Sequence, residues 1–329
     1  MAKRIQFCAT GGPDVLQYVD FTPLDPAAGE VQVENKAIGI NYIDTYIRSG
    51  LYAPASLPSG LGTEAAGVVT KVGADVSAVK PGDRVVYAQS ALGAYSEIHN
   101  VPLEKVALLP PNLSFEQGAA SFLKGLTVHY LLRQTYDVQP GEIFLFHAAA
   151  GGVGLIACQW AKALGAKLIG SVSSDEKAEL AKRAGAWATI NYRQESIAEC
   201  VAELTHGEKV GVVYDSVGKN TWQDSLNCLK HRGLMVSFGN ASGPVTGIDL
   251  AVLNQKGSLY VTRPSLNGYI TNREELQYAS NELFSLIGSG AIKVEVRDEQ
   301  IFALADAQRA HQILESRKTS GSSLLIPGH

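Results

Sequence analysis

Residues 141–162 read GEIFLFHAAAGGVGLIACQWAK. Gly141-Glu142 makes a polar turn, and the apolar run Ile143-Phe144-Leu145-Phe146 has the length and composition of a buried parallel strand. Small residues follow at Ala148, Ala149, Ala150 and Gly151, then Gly152, Val153 and Gly154. Beyond them Val153, Ile156, Ala157, Trp160, Ala161 and Leu164 recur at helical spacing. Strand, small-residue turn and helix together aim backbone N–H groups and a helix N-terminus at a phosphate. The bare backbone at Gly151 permits approach to a pyrophosphate, and Gly154 lets the helix pack close to the strand. Ala148 takes the first place of the usual G-x-G-x-x-G, giving A-x-x-G-x-x-G. Such turns also occur without a ligand, so the surrounding chain decides the reading.

Outward from this stretch, strand and helix patterns alternate. Strands are expected at 143–147, 167–172, 187–191, 211–215, 233–238 and 258–262, with helical spacing over 153–165, 175–184, 196–205 and 219–230. That alternation predicts a doubly wound parallel sheet. Residues 1–100 differ: runs at 31–38, 65–72 and 84–88 are broken by Gly11-Gly12-Pro13, Pro58-Ser59-Gly60 and Pro81-Gly82-Asp83, as in a small barrel or sandwich. A tyrosine-rich short helix or loop is expected over 41–52, and a helix over 113–134 with Ser114 as N-cap and Glu116 in its first turn. The tail has an amphipathic stretch at 272–289, a helix near 305–317 and a last apolar run at 323–326. The organisation predicted is 1–124 as one domain, 125–262 as the nucleotide-binding domain, and 263–329 returning to the first.

The whole chain sets bounds. At 329 residues two domains are expected, and 46% hydrophobic with 18% charged residues is ordinary for a globular core. A net charge of −4 argues against a general nucleic-acid binder. No apolar run reaches a membrane span, and MAKRIQF lacks the apolar core of a signal peptide, so a cytoplasmic protein is expected. Cys8, Cys158, Cys200 and Cys228 are far apart, with no metal-binding or disulfide spacing, and are expected to be buried, reduced thiols.

The ribose end of the nucleotide site can also be read. A carboxylate about 20 residues beyond the glycines selects NAD by binding the ribose hydroxyls. Here the second strand ends in Ser173-Ser174, and Lys177 follows one turn later. Hydroxyls and a cation accept a 2′-phosphate that a carboxylate would repel, so NADPH is the cofactor expected. Asp175 is expected to cap the helix starting near Glu176.

The central stretch resembles the signature of the zeta-crystallin-like quinone oxidoreductases, in the medium-chain dehydrogenase/reductase superfamily, through G-E-x-x-L, A-A-G-G-x-G, Gln159 and Lys162. The likeness continues in Gly62-Thr63-Glu64-Ala65-Ala66-Gly67-Val68-Val69, Val79-Lys80-Pro81-Gly82-Asp83-Arg84-Val85, Ala91-Leu92-Gly93-Ala94-Tyr95-Ser96-Glu97, Asp215-Ser216-Val217-Gly218 and Glu315-Ser316-Arg317-Lys318-Thr319-Ser320-Gly321. It implies a GroES-like β-barrel domain, a Rossmann domain, a cleft between them as active site, NADPH, and reduction of a quinone. On matching positions it places the pyrophosphate on Gly151, Gly152, Val153 and Gly154, and the adenosine and 2′-phosphate among Ser173, Ser174, Lys177 and Tyr192. The same resemblance implies that Phe238, Gly239, Asn240 and Ser242 border the nicotinamide and that Arg317 contacts the phosphates, and Asn41 resembles the family's cleft asparagine beside the nicotinamide. The zinc alcohol dehydrogenases of the superfamily carry a Cys in the segment matching Gly39-Ile40-Asn41-Tyr42, a His at Thr63, and a four-cysteine lobe near 89–101; none is present here, so no metal is expected.

A quinone suits such a site. Hydride addition leaves an anion delocalised over the ring, which water or a weak donor can protonate, so orientation and exclusion of water suffice. Asn41, Tyr46, Tyr52 and Arg263 are the expected substrate lining. Ser121-Phe122-Leu123-Lys124 has serine–lysine spacing, but its apolar setting reads as coincidence. Two alternatives remain open: an NADPH-dependent enone or enoyl reductase on the same fold, and a non-catalytic RNA-binding or crystallin-like protein. The apolar strand at 257–262 ends the expected sheet, and pairing it with its own copy predicts a homodimer.

Overall fold

The computed structural model describes residues 1–328, which form two compact units. One comprises residues 127–269 and 289–293; the other comprises 1–126, 270–288 and the chain from 294 onward.

In the unit around the central stretch, a 6-stranded sheet runs Ala188–Asn191, Lys167–Val172, Ile143–Phe146, Val210–Asp215, Leu229–Ser237, Tyr260–Thr262. All neighbours are parallel. Counted along the chain, the order is the 3-2-1-4-5-6 of a dinucleotide fold, reversing between Ile143–Phe146 and Val210–Asp215, where such folds bind ligands. The inner strands read as continuous apolar runs because helices cover both faces. Leu145, Ile169, Ile190, Val213 and Met235 share a core with Ile197, Val201 and Leu226 from the helices. The helix expected over 219–230 is confined to Trp222–Asn227. Cys228 and Leu229 are instead drawn against Val210, and the next strand begins at Leu229, four residues ahead of expectation, through exposed Lys230, His231 and Arg232. Those three polar residues hid the strand's start.

In the other unit, the 11-residue strand Glu30–Ile40 organises the larger sheet. One of its sides pairs with Ala65–Val72, with register shifts between Gln32 and Val33 and between Asn35 and Ala37. Ile98–Pro102 also pairs with it along Glu30 to Glu34, and Ser323–Ile326 along Ile38 to Ile40. Register shifts bend and twist a strand, which suits a curved sheet. Val31, Val33, Ile38, Val85, Tyr87, Phe302 and Leu325 fill its core. Ala2–Phe7 and Gln17–Phe21 form an antiparallel pair that the turn signals alone did not reveal.

The helix Phe115–Tyr130 starts as expected at Ser114, whose Oγ accepts the Gln117 N–H at 3.1 Å while Gln117 Oε1 accepts the Ser114 N–H at 3.0 Å. Glu116 lies in the first turn as expected, and Gln117 is the reciprocal partner of the cap. No helix among the described residues is long and apolar enough to cross a membrane. Cys158 and Cys228 are buried, and burial pushes both thiols up to about 12. Cys8 is exposed and Cys200 half-buried, so the expectation of buried thiols fails for those two.

Candidate active site

The glycine turn has the geometry its sequence implies, with one addition. Ala148 adopts φ +55°, the left-handed conformation that the fingerprint usually gives to glycine. Gly151 is the N-cap of the helix Gly152–Ala163, and its N–H donates to Ala148 O at 2.9 Å. The N–H groups of Gly152, Val153 and Gly154 open the first turn, where an α-helix offers them no carbonyl. A Cβ on Gly154 would lie 2.4 Å from Ala148 O and 2.6 Å from Ala149 Cα, so only glycine permits this helix–turn contact.

Behind the turn, His147 is fully buried, and burial lowers its pKa, keeping the ring neutral. Asp215 Oδ2 accepts hydroxyl protons from Thr221 and Ser225, both at 2.7 Å, so Ser225 receives the His147 Nε2–H at 2.9 Å. Nδ1 then accepts from Ser171 Oγ at 2.8 Å. This chain ties together the ends of three strands. Asp215 Oδ1 accepts the N–H groups of Val217 and Gly218, which fixes the loop after its strand.

The second strand delivers Ser173 and Ser174, both half-buried. Ser174 is the N-cap of the helix Asp175–Arg183, accepting the Lys177 N–H at 3.3 Å. Asp175 therefore does not cap the helix; it is the first helical residue, and its Oδ1 accepts from Asn191 Nδ2 at 2.8 Å. Serine at the extended position was the better cap because its short hydroxyl reaches the N3 amide. Burial and then the Arg193 guanidinium lower the pKa of half-buried Lys177. Arg193, exposed beside Tyr192 at the end of Ala188–Asn191, is the functional candidate that sequence reasoning missed. Its signal was weak: a cation two residues past a strand whose neighbour in the sheet ends in serines.

At the fifth strand's end, Phe238 N donates to Asp215 O at 2.8 Å, and its ring lies 5.7 Å from that of Phe146. Ser242 Oγ donates to Val217 O at 2.8 Å, tying the loop of Gly239 and Asn240 to the loop beyond Asp215. Arg263 donates to Ser237 O at 2.7 Å and Gly239 O at 3.3 Å, a structural use of part of its guanidinium.

In the unit built on Glu30–Ile40, Asn41 is the N-cap of the helix Tyr42–Ser49. Its N–H donates to Asp44 Oδ2 and its Nδ2 donates to Glu64 Oε2, both at 2.8 Å. Tyr46 and Tyr52 meet edge to face at 5.4 Å between ring centres; Tyr46 is half-buried and Tyr52 exposed. Arg317 is exposed at φ +59° just past the helix Ala307–Glu315. Ser121 Oγ donates to Gln117 O in its own helix at 2.7 Å, so Ser121 and Lys124 form no nucleophilic pair.

Asp44 anchors a buried chain. Arg48 donates to His311 Nδ1 at 3.0 Å, so His311 Nε2–H faces Tyr95 Oη at 3.1 Å and the Tyr95 hydroxyl donates to Asp44 Oδ2 at 2.9 Å. Burial pushes Asp44 up to about 7 and His311 down to about 3, Arg48 adding to the latter. Burial also raises the Glu64 pKa, against the pull of Lys124.

The chain matches two family models: the alcohol dehydrogenase GroES-like domain over residues 27–111 and the zinc-binding dehydrogenase over 152–285. The second model's description implies zinc, but Glu64 accepts the Leu123 N–H and the Asn41 amide and has the Lys124 ammonium 3.6 Å away, surroundings that do not fit a metal. Among the described residues no three His, Cys, Asp or Glu side chains stand together as ligands. Quinone oxidoreductase 1 of Escherichia coli is 71% identical over 99% of this chain and 100% of its own. A 2-haloacrylate reductase of a Burkholderia species is 42% identical over 96% of each chain. The crystal structure of Escherichia coli quinone oxidoreductase complexed with NADPH superposes with a TM-score of 0.98, covering 99% of this chain and 100% of that one. With its Rossmann strand order, its GroES-like domain and relatives this close along its whole length, the chain belongs to the quinone oxidoreductases of the medium-chain dehydrogenase/reductase superfamily.

Proposed function

We propose that this chain is an NADPH-dependent quinone reductase. The observation that carries the reading is Lys177, half-buried one turn after Ser173 and Ser174, whose charge is disfavoured by burial and then by the Arg193 guanidinium next to Tyr192 in the chain. A 2′-phosphate relieves that repulsion and takes hydrogen bonds from the hydroxyls, whereas NADH brings nothing to offset it. The first-turn N–H groups of Gly152, Val153 and Gly154, with Gly151, take the pyrophosphate. Phe238, Gly239, Asn240 and Ser242 hold the nicotinamide side, and Arg317 keeps the phosphate role its resemblance gives it. Bound NADPH supplies the hydride. Asn41, Tyr46 and Tyr52 orient the quinone and shield it from water, and Arg263 acts on it through the loop it braces.

The Burkholderia relative favours one second reading, reduction of an activated carbon–carbon double bond. Steady-state NADPH oxidation with 1,4-benzoquinone and with 2-chloroacrylate separates the two. The quinone is expected to give the larger kcat/KM; a larger value for 2-chloroacrylate establishes the second reading, and no oxidation with any quinone ends the first.

Two further features complete the proposal. The chain works as a homodimer, paired through Tyr260–Thr262 at the sheet edge, where Tyr260 and Val261 are exposed. It works in the cytoplasm, where its four thiols stay reduced.

A further inference from the structure

Lys124, on the helix Phe115–Tyr130, is 5% exposed. Its Nζ lies 3.6 Å from Glu64 Oε2, beyond hydrogen-bond distance, and has no acceptor among the described residues. A buried ammonium with unspent donors is costly unless it has a task. Its surroundings are built with care. Glu64 is fully buried, with Oε1 accepting the Leu123 N–H at 2.6 Å and Oε2 accepting Asn41 Nδ2 at 2.8 Å. Any side chain at residue 39 would come within 2.2 Å of Glu64 Oε2, and the chain has glycine there. Asn41 and Lys124 thus sit side by side on one carboxylate oxygen.

The other ionisable groups facing this cluster are held in hydrogen bonds, apart from Asp44 Oδ1, which has no partner among the described residues. Both Glu64 oxygens act as acceptors, which works for the carboxylate against the burial that raises its pKa. The Tyr95 hydroxyl donates to Asp44 and the Tyr87 hydroxyl to Asn35 Oδ1 at 3.0 Å. Asp44 Oδ2 accepts from Asn41 and Tyr95. Beside Glu64 and Asn41, Lys124 is the group with N–H donors that no acceptor takes up.

We propose that Lys124 donates the proton that completes quinone reduction, with Glu64 and Asn41 positioning it. The inference rests on the quinone-reductase reading. Hydride transfer moves two electrons and one hydrogen to the quinone, oxidises NADPH to NADP+ and leaves a hydroquinone monoanion. One Lys124 N–H bond breaks as the oxyanion's O–H bond forms. The neutral amine then takes a proton from solvent, so that NADPH, one proton and quinone become NADP+ and hydroquinone. Until transfer, the ammonium also opposes the charge growing on the oxygen.

The test is Lys124→Met and Lys124→Arg across 1,4-benzoquinones graded by the acidity of their hydroquinones, with NADPH affinity measured separately by fluorescence titration. In Lys124→Met, NADPH affinity is expected to hold. Its kcat is expected to fall about 100-fold for quinones forming the most basic anions and little for tetrachloro-1,4-benzoquinone. Lys124→Arg keeps the charge but cannot give up a proton, and is expected to fail alike. An equal fall across the series, no fall, or rescue by arginine overturns the assignment. If Lys124→Met does not fold because it strands Glu64, Glu64→Gln/Lys124→Met removes both charges and must show the same graded loss. Wild type inactive with NADPH and every quinone defeats the functional reading itself, a result distinct from these.

Discussion

Ala148 shows a single residue carrying strain where the fingerprint usually places glycine. At φ +55° an alanine costs about 1–2 kcal/mol, part of which glycine would return as unfolded-state entropy. Ala148→Gly is therefore expected to raise stability by about 0.5–1 kcal/mol, read as a higher urea midpoint at unchanged m-value. A lower midpoint would show that the turn is not strained. His311 governs a different response. Its folded pKa is about 3 against an ordinary value of 6.5, so between those values the unfolded chain binds the extra proton and stability falls as pH falls. Asp44 runs the other way: raised from 3.8 to about 7, it contributes stability that is lost as pH rises through that window. The two oppose each other between pH 7 and pH 5, so the test is the difference: relative to wild type, the urea midpoint of His311→Gln is expected to shift upward on going from pH 7 to pH 5, and identical pH dependence in the two proteins would contradict the assignment. At this scale the sequence was legible where placement follows local order: Ser173, Ser174 and Lys177 do come together at the end of one strand. It was not legible for Arg193, Glu64 with Lys124, or the Asp44–Tyr95–His311 chain, because those groupings exist only once distant strands are paired.

Among the elements, strands buried on both faces were easiest to read, since an apolar run flanked by glycine and polar turns is too short for a helix and too apolar for a loop. Lys167–Val172 and Ala65–Val72 have the expected bounds. Short or amphipathic pieces were harder: the inner strand Leu229–Ser237 starts with exposed Lys230, His231 and Arg232, and the Trp222–Asn227 helix is half its expected length. The edge strand Tyr260–Thr262 bears on assembly. Velocity sedimentation at micromolar concentration is expected to give a dimeric mass for wild type and a monomeric one for Val261→Lys, because a charge on the exposed face of the edge strand opposes pairing. A monomeric wild type would remove the dimer from the proposal.

For the molecule as a whole, the fold was written in one stretch, the strand–turn–helix at residues 141–162, with the alternation that follows it. Chemistry was less legible, since a reductase without a metal has no ligand pattern to announce it, and its selectivity rests on weak signals spread over several strand ends. In the proposed function those ends select NADPH for quinone reduction, and the Lys177–Arg193 pair is where that selection is most open to test. The measurement is kcat/KM for NADPH and for NADH with 1,4-benzoquinone, in wild type, Lys177→Ala and Arg193→Ala. Wild type is expected to prefer NADPH by about 100-fold, each substitution lowering that preference about tenfold through the NADPH KM while leaving NADH turnover unchanged. Equal use of both cofactors by wild type, or a loss shared equally between NADPH and NADH in the variants, would contradict it.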